Sequence, residues 1–347
     1  AVVRRAGDFL QDYINDRDFI DLMRVTQLAL LRGDVQPGEV PDLCVQLAEE
    51  FPSGEMMMNR ELIRLLMYLQ VSSILDRYTT FLKSDAPYTE RLHLALHLRY
   101  LRTGWNSDEK MELLKFYENA LNQPEGENYR EFVQSVSRDF SKQLTDEERR
   151  QILLVGSKWP NASFVALYGL SQDSDDDFLE LVRDLYEQIY DMDGDSVDRL
   201  KIAIIAVLAR SGDEESSTYL QKIYDRDPER RVVLAIGMAQ QPDTENWPYL
   251  VRSLNFLPPD VALDIIRKLS KVQRSPEDPE DYRRVIIQGL KLKERGKSDV
   301  NALLEHWTDE ELTTKDKPWE DALGYWQEWF ATTYPNHPEA KLPVESE

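Results

Sequence analysis

The sequence predicts an all-α protein, an α-α superhelix in which helical hairpins stack into a solenoid. Three observations carry that prediction. Apolar residues recur at three and four positions over stretches of about 12–16 residues, and period-two alternation is almost absent. Only 14 glycines interrupt 347 residues. "RLHLALHLRYLRTG" at 91–104 aligns without a gap to "RLKIAIIAVLARSG" at 199–212.

In chain order the spacing first predicts helices over 18–32, 38–50, 58–70, 74–83, 89–102, 107–121, 127–141 and 146–157. Gly33 and Gly104 follow helices where a left-handed residue ends them without steric cost. Thr145 with Glu148 matches the capping box, in which two side chains satisfy the orphan amides of a first turn. Further helices are predicted over 162–170, 176–190, 196–210, 214–225, 229–240, 246–255, 259–271, 279–295, 298–307 and 318–333. Gly212 closes one of them. Asp227-Pro228-Glu229 and Asp278-Pro279-Glu280 each place a cap before a proline at the first helical position. Thr308 with Glu311 is a second capping-box match. In the last helix Leu323, Trp326, Trp329 and Phe330 share one stripe, which suits a terminal helix sealing the end of a stack.

Repetition extends beyond the first alignment. "LALLRGD" (28–34) echoes "AVLARSGD" (206–213), and "SGDEESSTYL" (211–220) answers "QPDTENWPYL" (241–250), bringing Tyr219-Leu220 onto Tyr249-Leu250. A single helix pair cannot bury its own apolar face, so recurring pairs stack on one another. Over 196–256 the pattern resembles HEAT-type repeats, with armadillo repeats as close relatives. That resemblance implies a right-handed superhelix of helical hairpins and no chemistry. The organisation expected is a repeat solenoid over 1–310, with 1–158 and 159–310 as candidate halves, then a capping helix and polar tail over 311–347.

Composition narrows the function. Lys and Arg number 42 against 64 Asp and Glu, a formal charge of −22. Nucleic-acid affinity rests on neutralising phosphates with cations, so this balance argues against such a partner. It also disfavours anionic membrane surfaces, and no apolar run reaches the roughly 18 residues of a membrane span. Cys44 is the only cysteine, which excludes an internal disulfide, a Cys-rich zinc site and c-type haem attachment within the chain. The start, "AVVRRAGDFL", reads as processed or truncated, and the tail, "KLPVESE", as the edge of a piece cut from something larger.

Candidate sites are few. Glu90, His93 and His97 share one helical stripe spaced i, i+3, i+7, and imidazole with carboxylate suits zinc or iron. However, no second Glu-x-x-His and no His-Glu-x-x-His accompanies them. On the helical wheel His97 falls at a core position and His93 near an edge. Packing histidines with local hydrogen bonds is therefore the preferred reading. "DMDGDSVD", 191–198, begins like a calcium loop, with Asp191, Asp193 and Asp195 at positions one, three and five. Ser196 stands where the loop needs glycine and Ile202 where it needs a bidentate glutamate, so a loop capping the next helix is preferred. "SQDSDDDF", 171–178, reads as a solvated turn and helix start. "YRRVIIQGLKLKERGK", 282–297, is the most basic stretch, and it reads as a solvated face rather than a docking patch. No nucleophile elbow, P-loop or dinucleotide fingerprint occurs.

"YWQEWFATTYPNHPEAKLP", 325–343, carries a more specific likeness through Trp326, Gln327, Trp329, Phe330, Ala331, Tyr334, Pro335, Leu342 and Pro343. It resembles the end of the HEAT-like middle region of large bacterial exported proteins. Those join a propeller similar to sorbosone or glucose dehydrogenases to a C-terminal c-type haem domain. The resemblance implies a periplasmic or exported location (a cytoplasmic one otherwise) and redox chemistry only in flanking domains. It assigns no cofactor, metal or catalytic residue to this chain. The expected function is a non-catalytic scaffold that positions flanking domains or binds a protein partner. The alternative is an enzyme: an α/α-barrel acting on carbohydrate, or a metal-dependent hydrolase.

Overall fold

The computed structural model describes residues 2–123, 126–168, 175–311 and 318–342. Among them the only regular structure is helical, without a strand. Two compact units divide the chain: Ala1–Leu170 with Glu187–Leu200, and Ser171–Tyr186 with Lys201–Glu347.

In the first unit α1 (Val2–Phe9), α2 (Asp16–Gly33), α3 (Pro41–Glu50), α4 (Met56–Tyr68) and α5 (Leu75–Lys83) precede α6 (Tyr88–Leu98) and α7 (Ser107–Leu121). Then come α8 (Glu127–Ser141), α9 (Asp146–Leu154) and α10 (Pro160–Leu167). Helix α2 packs on α4, α4 on α6, and α5 on both α6 and α7, while α10 meets α7, α8 and α9. Met23, Leu30, Leu62, Leu66, Leu94 and Leu98 form the core of the α2–α4–α6 series, and each is fully buried.

Residues of both units make up α11 (Asp176–Ile189) and α12 (Asp195–Ser211). The second unit continues with α13 (Glu214–Arg226), α14 (Arg231–Met238), α15 (Trp247–Ser253) and α16 (Pro259–Leu269). It ends with α17 (Pro279–Leu292), α18 (Lys297–Thr308) and α19 (Trp319–Thr333). Here α15 packs on α17, α17 on α19, and α16 on α18. Leu323, Trp326 and Phe330 are buried, and Trp326 donates its indole N–H to Asn301 Oδ1 at 3.0 Å.

Most boundaries follow the spacing of the sequence; α7 and α8 begin and end on the predicted residues. Helix α1 lies outside the predicted helices and buries only Ala6. The helix expected over 89–102 stops at Leu98. Gln70 explains the early end: its amide N–H₂ donates to Tyr100 O at 2.8 Å, and its oxygen accepts from Arg102 N at 3.0 Å. Backbone groups that would extend α6 are thereby committed to α4's trailing loop.

The caps divide in the same way. Thr145 and Glu148 form the capping box, and Asp227 and Asp278 accept from the amides of Glu229 and Glu280. Thr308 does not open a helix. It is the last residue of α18, donating to Leu304 O and accepting from Glu310 N. Gly33 remains helical and Asp34 takes the left-handed position at φ 47°, whereas Gly104 (φ 87°) and Gly212 (φ 76°) are left-handed as expected.

The aligned segments 91–104 and 199–212 share their terminal glycine but not their buried face. Helix α6 buries Leu94, Ala95 and Leu98; α12 buries Leu200, Ile204, Ile205 and Leu208. Ile202, the counterpart of Leu94, is 41% exposed. The 30-residue echo holds better. Leu220 and Leu250 are both buried, and Tyr219 and Tyr249 each meet a tyrosine ring edge-on, Tyr186 and Tyr224 respectively.

Candidate functional site

The histidine stripe is built by α6 against α4. Glu90, buried, receives the Arg60 guanidinium, with Nε at 3.1 Å from Oε1 and 3.0 Å from Oε2. His97 Nδ1 lies 2.7 Å from the His93 carbonyl oxygen, and the two ring centroids are 4.2 Å apart. His93 Nε2 is sealed from solvent without a hydrogen-bond partner. Burial, then the neighbouring His97, pushes the His93 pKa down to about 4, and burial likewise lowers that of His97. Both rings are thus neutral at pH 7, and the carboxylate that shares their stripe is held by a guanidinium. Among the described residues no group of three or more His, Cys, Asp or Glu is placed to hold a metal ion.

The acidic loop resolves into a helix start. Asp191 and Asp193 are exposed, Gly194 has φ 124°, and Asp195 is the first residue of α12, 3.8 Å from Arg130. Of the 171–178 stretch, residues 171–174 lie outside the described residues; Asp175 accepts from Phe178 N at the start of α11. The basic stretch 282–297 is largely committed internally. Arg283 and Arg284 pair with Glu280 and Asp281, Arg295 pairs with Asp260, and Lys291 donates to Asn255 O.

Buried ionic groups other than Glu90 are prominent, and of these the sequence singles out only Glu148, for its capping role. Lys110 on α7 donates to Glu148 Oε2 on α9 at 2.8 Å and to Gln143 O at 2.7 Å. Glu148 also accepts from Ser107 Oγ and Thr145 N. Burial alone would raise its pKa, but these donors together hold it below the usual carboxylate range. Glu118 on α7 accepts from Ala162 N and Asn161 Nδ2, capping α10, whose own N-cap, Trp159, supplies no side-chain acceptor. Desolvation raises its pKa. Arg149 donates to the carbonyls of Ser141 and Ala166, closing the ends of α8 and α10. The signal missed in the sequence is a cation followed 30–38 positions later by a carboxylate, as in Arg60–Glu90 and Lys110–Glu148.

Two open grooves adjoin at the ends of α4, α6 and α8. One, of about 520 Å³, is lined by Arg64, Met67, Tyr68, Gln70, His97, Tyr100 and Arg102. The other, of about 430 Å³, shares Tyr100 and Arg102 and adds Arg99, Asp139, Lys142 and Gln143. Neither contains a pair of carboxylates for acid–base work.

These features define an all-helical protein, and among the described residues no helix is long and apolar enough to cross a membrane. No family model, curated protein or solved structure matches the chain.

Proposed function

We propose that the chain is a non-catalytic helical-repeat scaffold, a HEAT-like solenoid that positions flanking domains or holds a protein partner. The observation that carries this reading is a recurring step from one helix to the next but one, seen in six ion pairs. Arg24 on α2 reaches Glu61 on α4, Arg60 on α4 reaches Glu90 on α6, and Lys110 on α7 reaches Glu148 on α9. Lys83 on α5 reaches Glu112 on α7, Arg183 on α11 reaches Glu215 on α13, and Arg267 on α16 reaches Asp299 on α18. In every one of these pairs the cation stands on the earlier helix. Packing of α2 on α4 on α6, and of α15 on α17 on α19, follows the same step. A polarity and step shared by these six pairs are what a stacked array of similar units produces, although Arg295 with Asp260 reverses the polarity and Arg130 with Asp195 departs from the step.

The carboxylates with raised pKa values support the non-catalytic reading. Desolvation raises both Glu118 and Asp281, yet Glu118 caps a helix and Asp281 holds Arg284. Each is committed to structure rather than aimed into a groove. The likeness of 325–343 to exported propeller–haem proteins supports placement between flanking domains. Leu323, Trp326 and Phe330 on α19 are core residues, as a capping helix requires.

Two measurements test the reading. The purified chain, assayed on α- and β-linked oligosaccharides and on ester and peptide substrates with added zinc, should show no turnover. Turnover abolished by a single carboxylate substitution would replace the scaffold with an enzyme. The coding sequence around these residues should encode a propeller before them and a Cys-x-x-Cys-His haem domain after them; its encoding neither would remove the likeness to exported proteins.

A further inference from the structure

We infer that the paired grooves at the ends of α4, α6 and α8 are a docking site for an extended acidic peptide segment carrying apolar side chains between its carboxylates. The inference rests on the scaffold reading and names the partner's chemistry.

Local charge is the first argument. The chain as a whole carries 64 carboxylates to 42 cations. Along the grooves that balance reverses: Arg64, Arg99, Arg102 and Lys142 face a single lining carboxylate, Asp139. Asp139 is shared, with Lys142 Nζ at 3.1 Å and Arg99 at 3.5 Å. Arg64 has Glu61 behind it, and Glu61 is shared with Arg24. Arg102 is exposed, and among the described residues it has no carboxylate partner. The basic stretch 282–297, by contrast, has its arginines paired one by one.

A second argument removes the ordinary explanation. Cations gather at helix C-termini because the terminal carbonyls attract them. The carbonyls of the turn that follows α6 are taken by neutral amides rather than by these cations: Gln70 Nε2 donates to Tyr100 O at 2.8 Å, and Gln143 Nε2 donates to Arg99 O at 3.3 Å. The guanidinium groups of Arg64 and Arg102 are left within reach of solvent, while that of Arg99 is mostly buried against Asp139 and the Tyr100 ring. A carboxylate fits their planar fork in a bidentate manner.

Shape and apolar surface supply the third argument. The grooves are open and share Tyr100 and Arg102 as lining residues, which suits a chain laid across both better than a small enclosed molecule. Tyr100 is 50% exposed, and its ring lies against the Arg99 guanidinium, 4.6 Å from centroid to carbon. Tyr68 is also exposed. These rings offer apolar seats between the cationic positions. At about 0.15 M salt the screening length is roughly 8 Å, so the local cations outweigh the distant negative field.

The test uses a fluorescein-labelled peptide repeating Asp-Phe-Glu, followed by anisotropy at about 0.15 M salt. The wild-type chain should bind it, and should bind the Asn-Phe-Gln counterpart at least about tenfold more weakly. Reversing both Arg102→Glu and Lys142→Glu, at exposed positions, should weaken binding at least about tenfold, while Lys271→Glu on the second unit should leave it unchanged. Inorganic phosphate at about tenfold excess over the peptide should not displace it, because the tyrosine contacts are lost to a bare anion. Equal binding by wild type and the double reversal, or no binding by wild type, would overturn the site. Full displacement by phosphate would reduce it to an anion site and overturn the peptide assignment. Absent binding together with absent turnover would remove this site and leave the scaffold standing, whereas turnover on any substrate would remove the scaffold itself.

Discussion

Arg60 on α4 spans both carboxylate oxygens of Glu90 on α6, with its Nε 3.1 Å from one and 3.0 Å from the other. Glu90 is buried while Arg60 remains in contact with solvent. Truncating the cation strands a buried carboxylate, whereas replacing the carboxylate frees a guanidinium that water can reach. Arg60→Ala should therefore destabilise more than Glu90→Gln. A fully buried pair broken on one side costs about 3–5 kcal/mol, and solvent access to Arg60 brings the expected cost down to about 2 kcal/mol. Urea denaturation of the two variants checks the order.

The Lys110–Glu148 pair predicts an acid-sensitive contribution. Desolvation pushes Glu148 up, but Lys110, the Thr145 amide and Ser107 outweigh it and leave its folded pKa depressed. A depressed carboxyl stabilises fully above its unfolded value of about 4.3 and loses that contribution as pH falls through the lower folded value. Glu148→Gln should cost about 2 kcal/mol at pH 7, and the difference from wild type should shrink below about pH 4. Equal differences at pH 7 and at about pH 3 would contradict the pairing.

His93 and His97 act in a higher window. Their folded pKa values are lowered by burial, that of His93 to about 4. The unfolded chain then takes up protons first, near about pH 6.5, so stability is complete above that value and declines as pH falls below it. Stability should fall as pH drops through this window with a slope set by the protons the unfolded chain takes up and the folded chain does not, at most about 1.4 kcal/mol per pH unit for each ring. A His93→Leu, His97→Leu variant should show a flatter profile between about pH 7 and 5.5. An unchanged profile would mean that both rings titrate as in the unfolded chain.

Gly104 and Gly212 separate two causes of strain. Both are left-handed, but a Cβ at Gly104 would lie 2.4 Å from Ser72 Cβ, while at Gly212 the near atom is Nε2 of the flexible Gln241 side chain. Gly212→Ala should cost about 1 kcal/mol for the backbone conformation alone. Gly104→Ala should cost at least about 1 kcal/mol more, since the Ser72 Cβ can yield only with its backbone. Comparable thermal shifts in the two variants would contradict this packing.

Helix positions were legible because an apolar face at helical spacing is needed wherever a helix packs on one side. Which face packs was less legible. The aligned segments at α6 and α12 bury different residues, since the register of a helix on its neighbours depends on those neighbours, although Leu94 and Ile202 occupy aligned positions. The helical wheel puts His97 at a core position and His93 near an edge, whereas both rings are part-buried, and the partner of Glu90 lies 30 residues earlier on α4, beyond any local motif. The grooves were hidden for a similar reason. Arg99 and Arg102 fall within the helix predicted over 89–102, whereas in the structure they follow Leu98 in the turn held by Gln70, beside Lys142.

The stack itself is tested most directly by native-state hydrogen exchange on the Arg60→Ala variant. In a stacked array a local break weakens its own interface and leaves distant units intact. Amide protection should fall across Met56–Tyr68 and Tyr88–Leu98 and remain at wild-type level in Asp146–Leu154 and Pro160–Leu167 of the same unit. A uniform loss of protection across all four helices would contradict the stacked-hairpin account.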